Sequence, residues 1–154
     1  MEIRLAHAQD IDAWMALVKQ VRSMFPGLET AEALAEHKAT VLRFIRNSSA
    51  VCAVEADRIW GILLFSRETA ELCFLAVDST RRRQHIAQKL VSFMLMQTKQ
   101  GTDITVTTYR DGDPAGLAAR AFYKSLGFSE GKLAEEFGCP VQEFILKRPS
   151  TGQI

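Results

Sequence analysis

Glu71-Leu72-Cys73-Phe74-Leu75-Ala76-Val77-Asp78-Ser79-Thr80-Arg81-Arg82-Arg83-Gln84-His85-Ile86-Ala87-Gln88-Lys89-Leu90 is the most informative stretch of this 154-residue chain. From Leu72 to Val77 it is apolar on both faces, as in a central strand covered on both sides. A polar loop with three consecutive arginines follows. From about Gln84 to Lys99 the apolar positions Ile86, Leu90 and Met94 recur at helical spacing. A helix start leaves backbone N–H groups unpaired and carries a positive dipole end, so one approached through arginines suits a pyrophosphate. Judged by charge alone, a solvated basic loop is the competing account.

Upstream, Glu2 to Ala6 alternates as a first strand. Asp10 is placed to cap a helix bearing Ile11, Trp14, Met15, Leu17, Val18 and Val21, which Phe25-Pro26-Gly27 breaks. A second helix runs from about Thr30, with Leu34, Val41, Leu42 and Ile45 on one face, and fades at Asn47-Ser48-Ser49. Val51 to Glu55 and Ile59 to Phe65, joined by Ala56-Asp57-Arg58, read as a hairpin leading into the strand at Glu71. Downstream, Ile104 to Tyr109 is a β-branched strand, and Ala115 to Leu126 is a fourth helix ended by Gly127. Gln142 to Lys147 is a last strand. This order predicts an α+β, mixed-sheet fold rather than a regular βαβ winding.

The length suits one domain over residues 1–154. An apolar fraction of 47%, a charged fraction of 24% and a mean hydropathy of −0.01 are those of a soluble globular protein. With a net charge of +1, no global field recruits nucleic acid or an anionic membrane. Cys52, Cys73 and Cys139 lack metal-ligand or redox spacing, and their odd number argues against a secreted disulfide framework. Cys52 and Cys73 lie in apolar runs, where a free thiol behaves as a small hydrophobe. The opening Met1-Glu2-Ile3-Arg4 has no leader pattern, and no apolar run approaches a membrane span, so a reduced, cytoplasmic protein is expected.

Dinucleotide and NTP glycine fingerprints are missing, and there is no zincin motif or nucleophile elbow. His7, His37 and His85 are scattered, so no metal is expected. A ligand whose diphosphate rests on a helix start while its arm follows the preceding strand remains. Coenzyme A has that shape.

Val77 to Leu90 resembles the acyl-CoA-binding motif of the GCN5-related N-acetyltransferases, R/Q-x-x-G-x-G/A, at Arg82-Arg83-Gln84-His85-Ile86-Ala87. Ala119-Arg120-Ala121-Phe122-Tyr123-Lys124-Ser125-Leu126-Gly127-Phe128 is similar to that family's second motif. Both occur in family order with one strand between them. The resemblance implies a mixed, mostly antiparallel central sheet flanked by about four helices. It also implies transfer of an acetyl group from acetyl-CoA, without a metal, to a primary amine that attacks directly.

By the same resemblance, the strand Glu71–Val77 splays from its neighbour. Leu75, Ala76 and Val77 offer backbone groups to the pantetheine arm, and Arg82, Arg83, Gln84, His85, Ile86, Ala87 and Gln88 hold the diphosphate. Tyr123 is the candidate acid for the leaving thiolate, against a plain core-aromatic reading. Glu71, some 20 Å along the strand from Val77 at about 3.3 Å per residue, is the candidate base, against a solvent-facing strand start. Tyr109 is a fallback acid or acceptor contact. The loop around Phe25 to Glu29 and the loop Arg110 to Asp113 are implied acceptor walls. Glu29, Glu32, Asp111 and Asp113 suit a cationic amine.

Two departures stand out. The first motif glycine is His85, at a position expected within the first helical turn, where any L-residue fits. Gly116 stands where many members carry an asparagine, so weakened or reshaped cofactor binding is expected. Both departures keep open a second reading, a non-catalytic acyl-CoA-binding module with a degenerate fold. A third, nucleic-acid contact through Arg81 to Arg83, fits poorly with the near-zero charge. The implied partners are a small-molecule or peptide amine and, in addition, a homodimer partner, with no nucleic acid and no membrane.

Overall fold

One sheet joins seven strands: β1 (Glu2–Leu5), β2 (Ala50–Glu55), β3 (Arg58–Ser66), β4 (Glu71–Val77), β5 (Ile104–Tyr109), β6 (Ser129–Glu136) and β7 (Cys139–Leu146), in the order β1-β2-β3-β4-β5-β7-β6. Every neighbouring pair is antiparallel except β4 and β5, which are parallel. Four helices cover the sheet: α1 (Ile11–Val21), α2 (Ala31–Arg46), α3 (Ile86–Gln97) and α4 (Leu117–Ser125). The computed structural model describes residues 1–25, 27–82 and 84–149. The expected α+β, mostly antiparallel architecture is the one observed. Among the described residues no helix is long and apolar enough to cross a membrane.

Two apolar layers hold the sheet. Trp14, Val18 and Val21 of α1 and Leu34 and Val41 of α2 pack with Cys52, Ile62, Leu64 and Ala76 on one face. Ile86, Leu90 and Met94 of α3 and Tyr123 of α4 pack with Leu63, Phe65, Leu72, Val106 and Phe144 on the other. Gly61 seats α3 against β3: a Cβ built there would lie 2.6 Å from Ile86 Cγ2 and 3.0 Å from Leu90 Cδ1.

The sequence expectations fail in four places. Strand β6 was not expected, because Ser-Glu-Gly-Lys-Leu-Ala-Glu-Glu has no apolar alternation. It is an exposed edge strand held by pairing with β7. Asp10 does not cap α1 with its side chain, which instead accepts from Arg4 at 2.8 and 3.1 Å and from the His7 N–H at 2.7 Å. Thr30 does cap α2, accepting from Ala33 N at 3.0 Å. Helix α3 begins at Ile86 rather than near Gln84, and α4 at Leu117 after a 3₁₀ turn.

The feature that positions the site is a break in the ladder. β4 and β5 pair only at Glu71↔Thr105 and Leu72↔Val106. Against β3, Leu72 pairs with Phe65 and Phe74 with Leu64, so Cys73 is an extra, bulged residue. A bulge bends its strand and sharpens the local twist. β4 therefore leaves β5, which continues along β7 to Tyr109↔Val141. Cys73 itself is exposed rather than buried like Cys52, because the bulge puts it on the open side.

Candidate active site

From Cys73 to Val77, β4 keeps β3 on one edge and, among the described residues, has no strand on the other, so its gap-facing N–H and C=O groups have no ladder partners there. The bulge also resets the alternation. Leu72, Leu75 and Val77 face the α3/α4 layer, while Phe74 and Ala76 face the α1/α2 layer. The gap thus opens to both faces of the sheet.

On the α3/α4 face, β4 runs through a 3₁₀ turn (Ser79–Arg81) into α3. Asp78 organises this corner. It is 2% exposed and accepts from Thr80 N at 2.9 Å and Thr80 Oγ1 at 2.7 Å, with Gln20 and Arg58 each at 3.4 Å. Burial alone would raise its carboxyl, but these donors hold it below the usual range. Lys89 N donates to His85 O at 3.0 Å as the first helical bond, so the amides of Ile86, Ala87 and Gln88 precede the ladder.

The three arginines part company here. Arg81 lies flat on Trp60, 3.9 Å from its centroid, and pairs with Glu55 at 3.0 Å, a packing role. Arg82 is exposed and reaches Met24 Sδ at 3.3 Å. Arg83 lies outside the described residues. Gln84 is exposed beside Arg82 and His85.

His85 overturns one expectation. It is not in the first helical turn but is the N-cap of α3, with φ +60° and ψ +22°, in the left-handed region that favours glycine. Histidine is one of the few side-chain residues that visit this region at all readily. His85 also lines a shallow depression of about 660 Å³ with Ile3, Gln88, Lys89, Ser92, Phe93 and Met96. That depression lies where β1 meets α3, away from the gap.

Tyr123 is set by the end of α4. Phe128 N donates to Tyr123 O at 3.0 Å and Gly127 N to Lys124 O at 3.0 Å, the two bonds of a Schellman motif. Gly127, at φ +98°, supplies the left-handed residue the motif needs. The hydrophobic contact that accompanies it is Tyr123 against Phe128, 5.4 Å between ring centroids. Tyr123 is 6% exposed. Burial pushes its hydroxyl well above the usual phenol value.

Gly116 has a packing reason. A Cβ there would lie 2.6 Å from Tyr109 Cβ and 3.4 Å from Tyr109 Cα. The turn before α4 sits too close to β5 for any side chain, asparagine included.

The opposite face carries Glu71 at the closed end of the gap. Burial raises its carboxyl above the usual range, and the nearby Glu136 and Glu143 raise it further. Neither was singled out from sequence: Glu136 lies on β6, which shows no pattern of its own, and Glu143 lies on a predicted strand whose place beside β5 no local pattern reveals. Phe74 stacks on Phe25 at 4.4 Å, and Tyr109 Oη donates to Met24 O at 3.4 Å, which ties the segment after α1 to both walls. Tyr109 is thus a fastener of that segment. The walls expected there are partly seen: Pro26 lies outside the described residues, and Glu29 accepts from Gly27 N at 3.1 Å. Asp113 accepts from Ala115 N at 3.0 Å, a turn cap rather than an amine contact. Among the described residues no group of three His, Cys, Asp or Glu side chains is arranged for a metal ion.

Two substitutions test these local readings by denaturant unfolding. His85→Gly removes left-handed strain and is expected to stabilise the chain by about 1 kcal/mol; destabilisation would contradict the backbone assignment. Gly116→Asn is expected to cost about 1–3 kcal/mol by overpacking against Tyr109; unchanged stability would contradict the close approach.

The solved structures this chain resembles share the architecture. An acetyltransferase of the GNAT family from Bacillus cereus ATCC 10987 superposes with a TM-score of 0.76 at 19% identity, over 96% of each chain. A ribosomal-protein-alanine N-acetyltransferase from Brucella melitensis gives 0.73 at 15% identity, over 96% of this chain and 99% of that one. PaiA N-acetyltransferase from Thermoplasma acidophilum, in complex with coenzyme A, gives 0.67 at 17%, over 95% and 98%. No curated protein matches by sequence. The family model for the acetyltransferase (GNAT) domain matches residues 46–130. That is more than half the chain and spans the bulged strand, the start of α3 and the Schellman end of α4, so the chain belongs to the GNAT acetyltransferase family.

Proposed function

We propose that residues 1–154 form one acetyltransferase domain that moves an acetyl group from acetyl-CoA to a primary amine. The supporting observation is the β4–β5 ladder ending at Leu72/Val106, with the start of α3 on one face of the gap and Glu71 on the other. A structural relative crystallised with coenzyme A and one named for acetylating a ribosomal-protein alanine agree with it. Free thiols at Cys52, Cys73 and Cys139 suit the cytoplasmic setting that belongs to the same proposal.

In this reading the pantetheine amides take the backbone groups that Leu75, Ala76 and Val77 no longer give to a strand. The diphosphate rests on the amides of Ile86, Ala87 and Gln88, with Arg82 nearby and Gln84 and His85 shaping the turn. The amine approaches from the α1/α2 face. Glu71 takes one proton from the ammonium, and the neutral nitrogen forms a bond to the thioester carbon to give a tetrahedral oxyanion; the nitrogen loses its second proton to solvent as the oxyanion collapses and the carbon–sulfur bond breaks. Backbone N–H groups of β4 stabilise the oxyanion.

Tyr123 sits on the cofactor face. With its hydroxyl raised by burial, full proton transfer to a thiolate of pKa about 8.5 is uphill. Its role is to donate a hydrogen bond to the leaving sulfur, which collects its proton from solvent or from the protonated Glu71.

The test is turnover of acetyl-CoA over a panel of small amines and free peptide N-termini. Because Glu71 must be ionised to act and is raised by burial, kcat/KM should fall with decreasing pH at a value above the ordinary glutamate value of about 4.3. Glu71→Gln should lower kcat and remove that limb. It should also stabilise the fold at neutral pH, since a raised carboxyl contributes stability at low pH that is lost as pH rises through its folded value. Tyr123→Phe should lower kcat with little change in acetyl-CoA affinity. Tight acetyl-CoA binding with no turnover on any amine would instead favour a non-catalytic acyl-CoA-binding module.

A further inference from the structure

The sheet ends in two edge strands of different character. β6 carries three glutamates and one lysine, and its register against β7 shifts between Glu130 and Leu133. Charge and bulges are two usual means by which an edge avoids pairing with another chain. β1, at the opposite end of the sheet, is short but regular. It pairs with β2 in unbroken register from Glu2↔Val54 to Leu5↔Val51, and it has neither proline nor bulge.

The register tells which backbone groups of β1 face outward. Ala6 N donates to Ala50 O at 2.8 Å, which continues the β1–β2 pairing by one position. An antiparallel ladder alternates, so Glu2 and Arg4 turn their N–H and C=O groups towards β2, while Ile3 and Leu5 turn theirs away from it. Arg4 Nη1 donates to Leu5 O at 3.1 Å, in keeping with that direction. Among the described residues no strand lies beyond Ile3. The side chains alternate too. Ile3 and Leu5 pack into the α3/α4 layer, whereas Glu2 and Arg4 share the other face, where Arg4 pairs with Asp10. Ile3 also shares the depression beside α3 with Phe93 and with Met96, which is 75% exposed.

We propose that β1 pairs antiparallel with β1 of a second copy of this chain about a two-fold axis at Ile3, joining two sheets into one. Backbone, charge and apolar surface choose this occupant and this register together. With Ile3 opposite Ile3, the outward N–H of each copy donates to the outward C=O of the other. The same register sets Glu2 of each copy against Arg4 of the other. Arg4 offers Nε for this contact: Asp10 engages Nη1 and Nη2, and Nε already lies 3.7 Å from Glu2 of its own strand. An axis at Arg4 would instead oppose two arginines whose backbone groups are spent on β2. Pairing at Ile3 also brings the two apolar depressions to one side of the joined sheet, and a two-fold needs only one self-complementary patch. The gap between β4 and β5 lies beyond β2 and β3, so it stays open in both copies. The inference is therefore independent of the acyltransferase reading.

Sedimentation velocity over roughly 1 to 100 μM chain covers micromolar dissociation constants. Over that range the 17.2 kDa chain should pass into a dimer of twice its mass. Amide hydrogen exchange locates the contact, since Ile3 should exchange at least about fivefold more slowly at the upper concentration. Ile3→Pro removes the outward donor at a position where an edge strand tolerates proline, and it should stay monomeric. Glu2→Arg changes a side chain that is 70% exposed. It sets like charges opposite each other twice, so it should weaken association by at least about tenfold, and it decides the matter if Ile3→Pro does not fold. A wild-type chain that remains monomeric at the upper concentration would overturn the inference. So would a dimer that Glu2→Arg leaves intact, or one whose Ile3 amide exchanges at the monomer rate, because either result puts the contact on another face.

Discussion

The extra residue at Cys73 bends β4 away from β5 after two paired positions, and the rest of the site depends on that break. A parallel ladder that continued would satisfy the backbone of Leu75 to Val77 and close the sheet. Broken, it leaves a wedge-shaped opening with polar backbone along one edge, in a place otherwise lined by apolar layers. The chain then runs from the C-terminal end of β4 through the turn at Ser79–Arg81 into α3, so the unpaired strand edge leads to the unpaired helix amides.

Chemistry is then divided between the two faces of the sheet. Tyr123 belongs to the α3/α4 layer, where its place is fixed by the Schellman end of α4 and by Phe128 and Phe144. Glu71 faces the other way, in company with Glu136 and Glu143. Both groups are raised, each first by burial, and the roles proposed for them are opposite. A raised phenol stays a donor throughout the working range, whereas a raised carboxyl is a better base near neutrality. Partial burial and the neighbouring Glu71 push the Cys73 thiol up to about 11. It stays a neutral thiol rather than a competing nucleophile.

The sequence carried much of this and lost the rest for identifiable reasons. The strand–loop–helix from Glu71 to Leu90 was legible because an apolar run, a polar loop and helical spacing follow in order. Gly127 was legible as a helix end because left-handed backbone favours glycine. The left-handed His85 was not, since the apolar spacing carried the helix start back to about Gln84, whereas α3 starts at Ile86. Arg81 read as a phosphate donor because sequence shows charge but not the Trp60 face that occupies it. Gly116 read as a missing contact, whereas the structure gives a close approach to Tyr109 that no local pattern encodes. Strand β6 was silent because an exposed edge strand needs no alternation when its partner supplies the pairing.

The most direct measurement is a titration of isotopically labelled protein with acetyl-CoA, followed through backbone amide chemical shifts. If the broken ladder is the cofactor slot, the largest changes fall on Leu75, Ala76 and Val77 and on Ile86, Ala87 and Gln88, two groups joined only by the corner at Asp78. Changes confined to Ile3, Phe93 and Met96 would place the ligand in the depression between β1 and α3. That result, or no change at all, would contradict the account.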